Sequence, residues 1–341
     1  LKKLSTTIAI LILLSIAICV CVVKQPVIGD LDKELQNLSK ADAQRLKADV
    51  EKLSTDYAKR NFWDVKTLSL ATSYIKTELE KTTTHVDIQT YQVDGEQFHN
   101  VIAHFGPIID NTATYENGPP KPIIIGAHYD TYEQTMGADD NASGVAGLLE
   151  LARIFAEKPP SVPIQLVAYT LEEPPNFRTD NMGSRQHAAS LVRAGITPLQ
   201  VIVLEMIGYY NDADDSQEYP LSFLKWLYPT RANFIAVVGN LTDTSNTKKV
   251  KMAMQAAHQE LAVESINAPA AIMGVDFSDH ASYWLYGMPA VMVTDTSFYR
   301  NQNYHRPTDT ADTLDYGRMA KVVDGVYAAV NNLSRQTENY E

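Results

Sequence analysis

From about residue 123 onward the chain alternates between short apolar runs and longer stretches in which apolar side chains recur every three or four positions. The runs 123–127, 164–170, 201–204, 234–238 and 290–293 are short and almost continuously apolar, which predicts strands buried on both faces. The intervening segments 143–156, 185–194 and 247–261, a short one near 281–286 and a long one over about 314–333 have helical spacing. Ahead of this alternation, Ser39 is expected to cap a helix to about residue 53 that presents Leu46, Val50 and Leu53 on one face. Asp64 is expected to cap a second over 65–81, with Leu68, Ala71, Tyr74, Ile75 and Leu79 in its stripe. Residues 86–93 and 100–105 read as strands, and 107–122, rich in Asn, Gly and Pro, as a loop. Apolar strands interleaved with amphipathic helices predict an α/β fold, a three-layer α/β/α sandwich around a mixed, mostly parallel central sheet.

The first two dozen residues follow another pattern. After Lys2 and Lys3, residues 4–23 carry no charge. Twenty residues at ~1.5 Å each span a ~30 Å hydrocarbon layer, so 1–24 is expected to be a signal peptide or an N-terminal membrane anchor. Either places the remainder outside the cytoplasm, on the periplasmic or extracellular face, anchored or secreted. Residues 25–39 read as a polar stalk and 40–341 as one catalytic domain. Both cysteines, Cys19 and Cys21, fall in the apolar run, so the body has neither disulfides nor thiolate ligands available. Setting aside the three lysines of residues 1–24 leaves 26 basic against 41 acidic residues, a net charge of −15. That surplus argues against nucleic acid as a partner.

Chemistry concentrates where the predicted strands end. The run at 123–127 leads into His128, Tyr129 and Asp130. That at 164–170 leads into Glu172 and Glu173, that at 201–204 into Glu205, and the last precedes a loop reaching Tyr304 and His305. Parallel strands bring their carboxyl ends to one edge, and buried carboxylates gathered there need a compensating cation. Imidazoles and carboxylates without thiolates suit zinc, with manganese or cobalt as substitutes. The segment Gly137-Ala138-Asp139-Asp140-Asn141-Ala142-Ser143-Gly144 adds a carboxylate at the start of a helix. Asp139 there is positioned to bridge two ions ~3.5–4 Å apart, and helix capping accounts for one of its three successive polar residues but not for all.

The elements GAHYDT at 126–131 and GADDNASG at 137–144, the Glu172-Glu173 pair, the acidic residue at 205 and Tyr304-His305 occur in the order seen in the secreted dizinc aminopeptidases. The chain resembles that metallopeptidase family, which includes glutaminyl cyclases and glutamate carboxypeptidase II, over roughly residues 40–335. The resemblance implies two Zn2+ per chain, one held by His128, Asp139 and Glu205 and the other by Asp139, Glu173 and His305. It implies Glu172 as general base, Asp130 as the partner orienting the His128 imidazole, and Tyr304 as a donor to the oxyanion. It also implies a non-proline cis peptide bond after the bridging aspartate. Asp140 and Asp279 are expected to support the ligands, although Asp279 in FSDHASYW fits a helix cap equally well. Better-known aminopeptidases have Asp where this chain has Glu205. The carboxylate donor is the same, on an arm one methylene longer.

The implied activity is hydrolysis of the N-terminal bond of peptides or proteins. Two other readings stay open: a glutaminyl-peptide cyclotransferase, for which the resemblance implies one zinc and an incomplete second ligand set, and a non-catalytic ectodomain, which would be marked by loss of the base or a ligand. His85, His99, His104, His187 and His258 are expected to be structural or exposed. Phe298, Tyr299 and Arg300 are candidates for lining the substrate pocket, and residues 212–218 read as a solvated acidic loop.

Overall fold

The structure is a computed structural model that describes residues 20–27, 31–38, 40–109 and 119–338. Eight strands form one sheet in the order β1-β2-β4-β3-β5-β8-β6-β7. These are β1 (Val86–Val93), β2 (Glu96–Phe105), β3 (Ile123–His128), β4 (Ile164–Tyr169), β5 (Gln200–Glu205), β6 (Phe234–Gly239), β7 (Ala262–Asn267) and β8 (Ala290–Thr294). Pairs β3/β4, β3/β5, β5/β8 and β6/β7 are parallel, while β1/β2, β2/β4 and β6/β8 are antiparallel. The sheet is thus mixed and mostly parallel, as expected.

Strand alternation sorts the apolar residues into two layers. Ile123, Ile125, Ile202, Leu204, Ile235, Val237, Val291 and Val293 belong to the main core. That core is covered by α1 (Ala43–Thr55), α2 (Val65–Glu80), α3 (Gly144–Glu157), α5 (Thr244–Ala257) and α7 (Tyr316–Glu338). Ile124, Val167, Val201 and Val203 pack instead with α4 (Gly183–Arg193) and α6 (His280–Trp284). Gly126 on β3 is required by this second layer, because a Cβ there would lie 2.1 Å from the Tyr169 ring. Tyr169, Tyr283 and His187 form a buried hydrogen-bonded set behind it, with Tyr283 Oη 2.7 Å from His187 Nδ1. His187 is therefore structural, and burial holds it neutral by pushing its pKa down to about 3.

Several boundaries differ from the sequence reading. The first helix is capped by Asp42, whose carboxylate accepts from the backbone N–H of Gln44 and Arg45; Ser39 lies outside the described residues. Leu46, Val50 and Leu53 are fully buried as the spacing predicts, and Asp64 caps α2 through the Thr67 amide. The helix expected over 247–261 is α5, which ends at Ala257, and β7 follows it at the sheet edge.

No helix among the described residues is long and apolar enough to cross a membrane. The apolar run 4–23 lies outside the described residues as far as residue 19. Within the stretch 25–39, read from the sequence as a polar stalk, the described residues touch the body. Gln25 is buried, the Lys24 carbonyl accepts from Lys251 Nζ and Ser265 Oγ, and Leu35 is packed into the main core.

Candidate metal centre and active site

β3, β4 and β5 end side by side, and their last residues or the ones just after carry His128, Glu172, Glu173 and Glu205 to one edge. The backbone turns sharply there: Leu171 has φ 60°, Met206 φ 50° and His305 φ 56°. Left-handed conformations at bulky residues persist where the surroundings fix them, and here each is or adjoins a ligand candidate or the base candidate Glu172.

Two groups of donor atoms result. In one, His128 Nε2 lies 3.4 Å from Asp140 Oδ1 and 3.3 Å from Glu205 Oε2. In the other, His305 Nε2 lies 3.2 Å from Asp140 Oδ2 and 3.3 Å from Glu173 Oε2. The two oxygens of one carboxylate thus face two imidazoles. Asp140, not Asp139, stands between the groups, which corrects the assignment made from the sequence. Asp140 has an extended backbone (φ −102°, ψ 90°), so its side chain and that of its neighbour project in different directions. The Asp139 carboxylate is turned away, accepting from Gly208 N at 3.0 Å and Asn301 Nδ2 at 2.7 Å. The non-proline cis peptide follows Asp140, linking it to Asn141.

The surrounding side chains fix this arrangement. Asp130 accepts from the Glu172 amide at 3.1 Å and the Glu173 amide at 3.0 Å, while its own backbone carbonyl faces His128 Nδ1 at 3.2 Å. It therefore positions the base candidate and a ligand candidate as well as the imidazole. Ser278 Oγ donates to Glu205 Oε2 at 2.6 Å. Asp309 accepts from the amides of Asp139 and Asp140. Asn141 accepts from the amides of Gly144 and Met206 and donates to the Leu204 carbonyl, tying the end of β5 to the start of α3. Arg60, fully buried, donates to the carbonyls of Leu53, Tyr129, Met136 and Gly137. Burial lowers its pKa to about 10 against the pull of Asp130 and Asp309, so it remains a cation under the acidic cluster.

Burial and mutual repulsion strain the acids. Burial, with Asp140 adding, pushes Glu173 up to about 8, and burial with the neighbouring Glu173 and Glu205 raises Glu172 well above the usual carboxylate range. Burial opposes protonation of both histidines, yet the facing carboxylates prevail. His305 rises to about 10 and His128 well above its ordinary value. The cluster demands positive charge at two points. Glu173 Oε1, buried without a hydrogen-bond partner, makes the same demand. Ligand atoms on one tetrahedral zinc at ~2.0–2.2 Å lie about 3.3–3.5 Å apart, close to the spacings within both groups. The residues fit divalent ions.

His305 is held between two aromatic rings, its centroid 4.0 Å from Tyr132 and 3.7 Å from Tyr304. Tyr304 lines a cavity of about 290 Å³ that opens from Glu172, Glu173 and Glu205 and continues between Phe177, Phe277, Phe298 and Ile272. Phe298 and Tyr299 line this cavity, whereas Arg300 turns inward to the Phe234 carbonyl and Gln217 Oε1. Asp279 makes no cap with its side chain; it is fully buried near His128 and Ser184, and burial raises it to about 7. Sequence reasoning missed Arg60, Tyr132, Asn301 and Asp309, which occur in no local pattern tied to the ligands, and passed over Ser278 although it stands beside Asp279 in FSDHASYW.

A family model described as "Peptidase family M28" matches residues 110–330. An uncharacterized protein, YfbL, of Escherichia coli is 46% identical over 86% of this chain and 88% of its own length. Leucine aminopeptidase 1 of Uncinocarpus reesii is 24% identical over 78% of this chain and 68% of its own. Among solved structures, the LapA aminopeptidase of Legionella pneumophila superposes with a TM-score of 0.68 at 19% identity, covering 91% of this chain and 78% of that one. A glutaminyl cyclase of Bacteroides thetaiotaomicron gives 0.62 at 20% identity over 86% and 99%. At these identities the structures attest the shared fold. With the family model spanning most of the sheet and every ligand candidate, the chain belongs to peptidase family M28 and is a hydrolase.

Proposed function

We propose that the protein is a zinc-dependent aminopeptidase that removes apolar N-terminal residues from peptides. The observation that carries this reading is the single Asp140 carboxylate facing two complete ligand sets beside Glu172, at the head of an apolar cavity. His128, Asp140 and Glu205 would hold one ion and Asp140, Glu173 and His305 the other. When bound, zinc supplies Lewis-acid polarisation of a carbonyl and acidifies water.

The chain's own residues supply the rest. Glu172, held by the Asp130 carboxylate through its amide, takes a proton from the attacking water and delivers it to the leaving amine. Its raised affinity for a proton suits that shuttle. Tyr304, whose hydroxyl burial keeps protonated, donates to the developing oxyanion. The cavity walls orient the N-terminal side chain and exclude water, and their aromatic and aliphatic lining selects apolar residues.

The full second ligand set and the aminopeptidase relatives support this reading over cyclisation, and the presence of Glu172 supports it over a non-catalytic role. Full-length protein titrated with zinc and assayed on free and N-acetylated peptides tests it. Two ions per chain with cleavage of the free-amine peptide alone is the expected result. One ion with pyroglutamate formation from N-terminal glutamine, or no turnover at full metal loading, would overturn it.

A further inference from the structure

We infer that the surface around residues 221–226 and Leu241 lies on a lipid bilayer, beside the point where the apolar N-terminal run enters the body. The stretch Leu221-Ser222-Phe223-Leu224-Lys225-Trp226-Leu227-Tyr228 has no acidic residue, in a chain whose net charge is −12. Its outer side chains are unusually exposed for their type: Trp226 is 88% accessible and Phe223 50%, with Leu221 also in the open. Leu241 and Val22 are exposed as well. Contiguous exposed apolar side chains around a tryptophan mark an interaction surface, and a tryptophan with a neighbouring lysine suits the bilayer interface.

The occupant is indicated by the chain itself. Residues 4–23 are uncharged and long enough to span a bilayer, and their last members are fastened at this patch. Lys24 Nζ donates to the carbonyl of Leu227, next to Trp226. Asn267 Nδ2 donates to the Val22 carbonyl at 2.9 Å, and Asn267 pairs with Gly239, two residues before Leu241. Gln25 is buried, its side chain bonded to the Thr244 carbonyl at the start of α5. Val22 and Lys24, at the end of the apolar run, are therefore held to the body at Asn267 and Leu227, beside this surface. The same loop lines the substrate cavity with its inner residues, Leu224 and Tyr228. One wall of the cavity is thus set at the bilayer surface.

Full-length protein reconstituted into phosphatidylcholine–phosphatidylglycerol vesicles with brominated acyl chains tests this through tryptophan quenching. Bromolipid should quench wild type, and Trp226→Phe should lose most of that quenching while Trp63→Phe keeps it. Circular dichroism on each variant confirms the fold. Equal quenching in wild type and Trp226→Phe overturns the proposal, as does failure of the full chain to float with vesicles. Trp226 shielded from aqueous iodide but untouched by bromolipid also overturns it, since a second copy of the chain would then cover the patch.

Discussion

The carboxyl edge of β3, β4 and β5 and the outer strands β6 and β7 are built on opposite principles. At the first, charged side chains are buried and nearly every one is fixed by a backbone or side-chain partner, from Asp130 under two amides to Arg60 under four carbonyls. Around the second, Phe234, Ala236, Val238, Val275 and Met292 form a small apolar cluster whose inner face borders the cavity. Polar contacts are directional and tolerate little displacement, whereas apolar walls adapt by shape. On the proposed function, the first region sets the reaction geometry and the second the choice of substrate.

The largest effect is expected at Asp140. Asp140→Asn should remove both ions after dialysis and reduce hydrolysis to background, while Asp139→Asn retains metal; elemental analysis of the two dialysed proteins decides between the neighbouring aspartates. Equal metal loss in both would dissolve the distinction between them. Glu172→Gln comes next, with kcat lower by about 10²–10⁴ and metal content unchanged. If that variant turned over normally, the base would have to be sought elsewhere. Arg60→Met sharpens the stability side of the comparison. Removing a buried cation that faces Asp130 and Asp309 should cost about 3–5 kcal/mol in denaturant unfolding of the apoprotein. The smallest effect belongs to the apolar region. Ala236→Leu should lower kcat/KM for bulky N-terminal residues by about 10–100-fold and leave alanyl substrates nearly untouched. A uniform loss across substrates would show that the wall also shapes the reacting centre.

The sheet and the ligand-bearing strand ends were legible because buried parallel strands leave continuous apolar runs, and the polar residue that stops each run is the one brought to the edge. His128 and Glu205 fall in the two donor groups for that reason and Glu173 follows closely on its run, whereas His305, in a loop well past β8, was indicated by the family resemblance. The choice between Asp139 and Asp140 was not legible, since it depends on the extended backbone at Asp140, which two adjacent identical side chains do not reveal. Strand β7, which follows directly on the expected helix, was not predicted because its sequence, Ala-Val-Glu-Ser-Ile-Asn, carries too few apolar residues to announce a strand at the sheet edge. Arg60 and Asp309 lie far in sequence from the residues they support, and only the tertiary fold brings them there.

Strand β6 runs antiparallel to β8, so the chain enters β6 at the end nearest the metal centre and leaves it at the far end. Phe234, Ala236 and Val238 therefore face the cavity as successive rungs, spaced ~6.6–6.8 Å apart by the strand itself. Thr294 and Met292 stand opposite the inner two in register. A strand cannot lengthen by a fraction of a residue, so this wall works as a ruler with fixed graduations. On the proposed aminopeptidase reading, a substitution on any one rung reshapes the cavity at a fixed interval along the strand and leaves every metal ligand where it is.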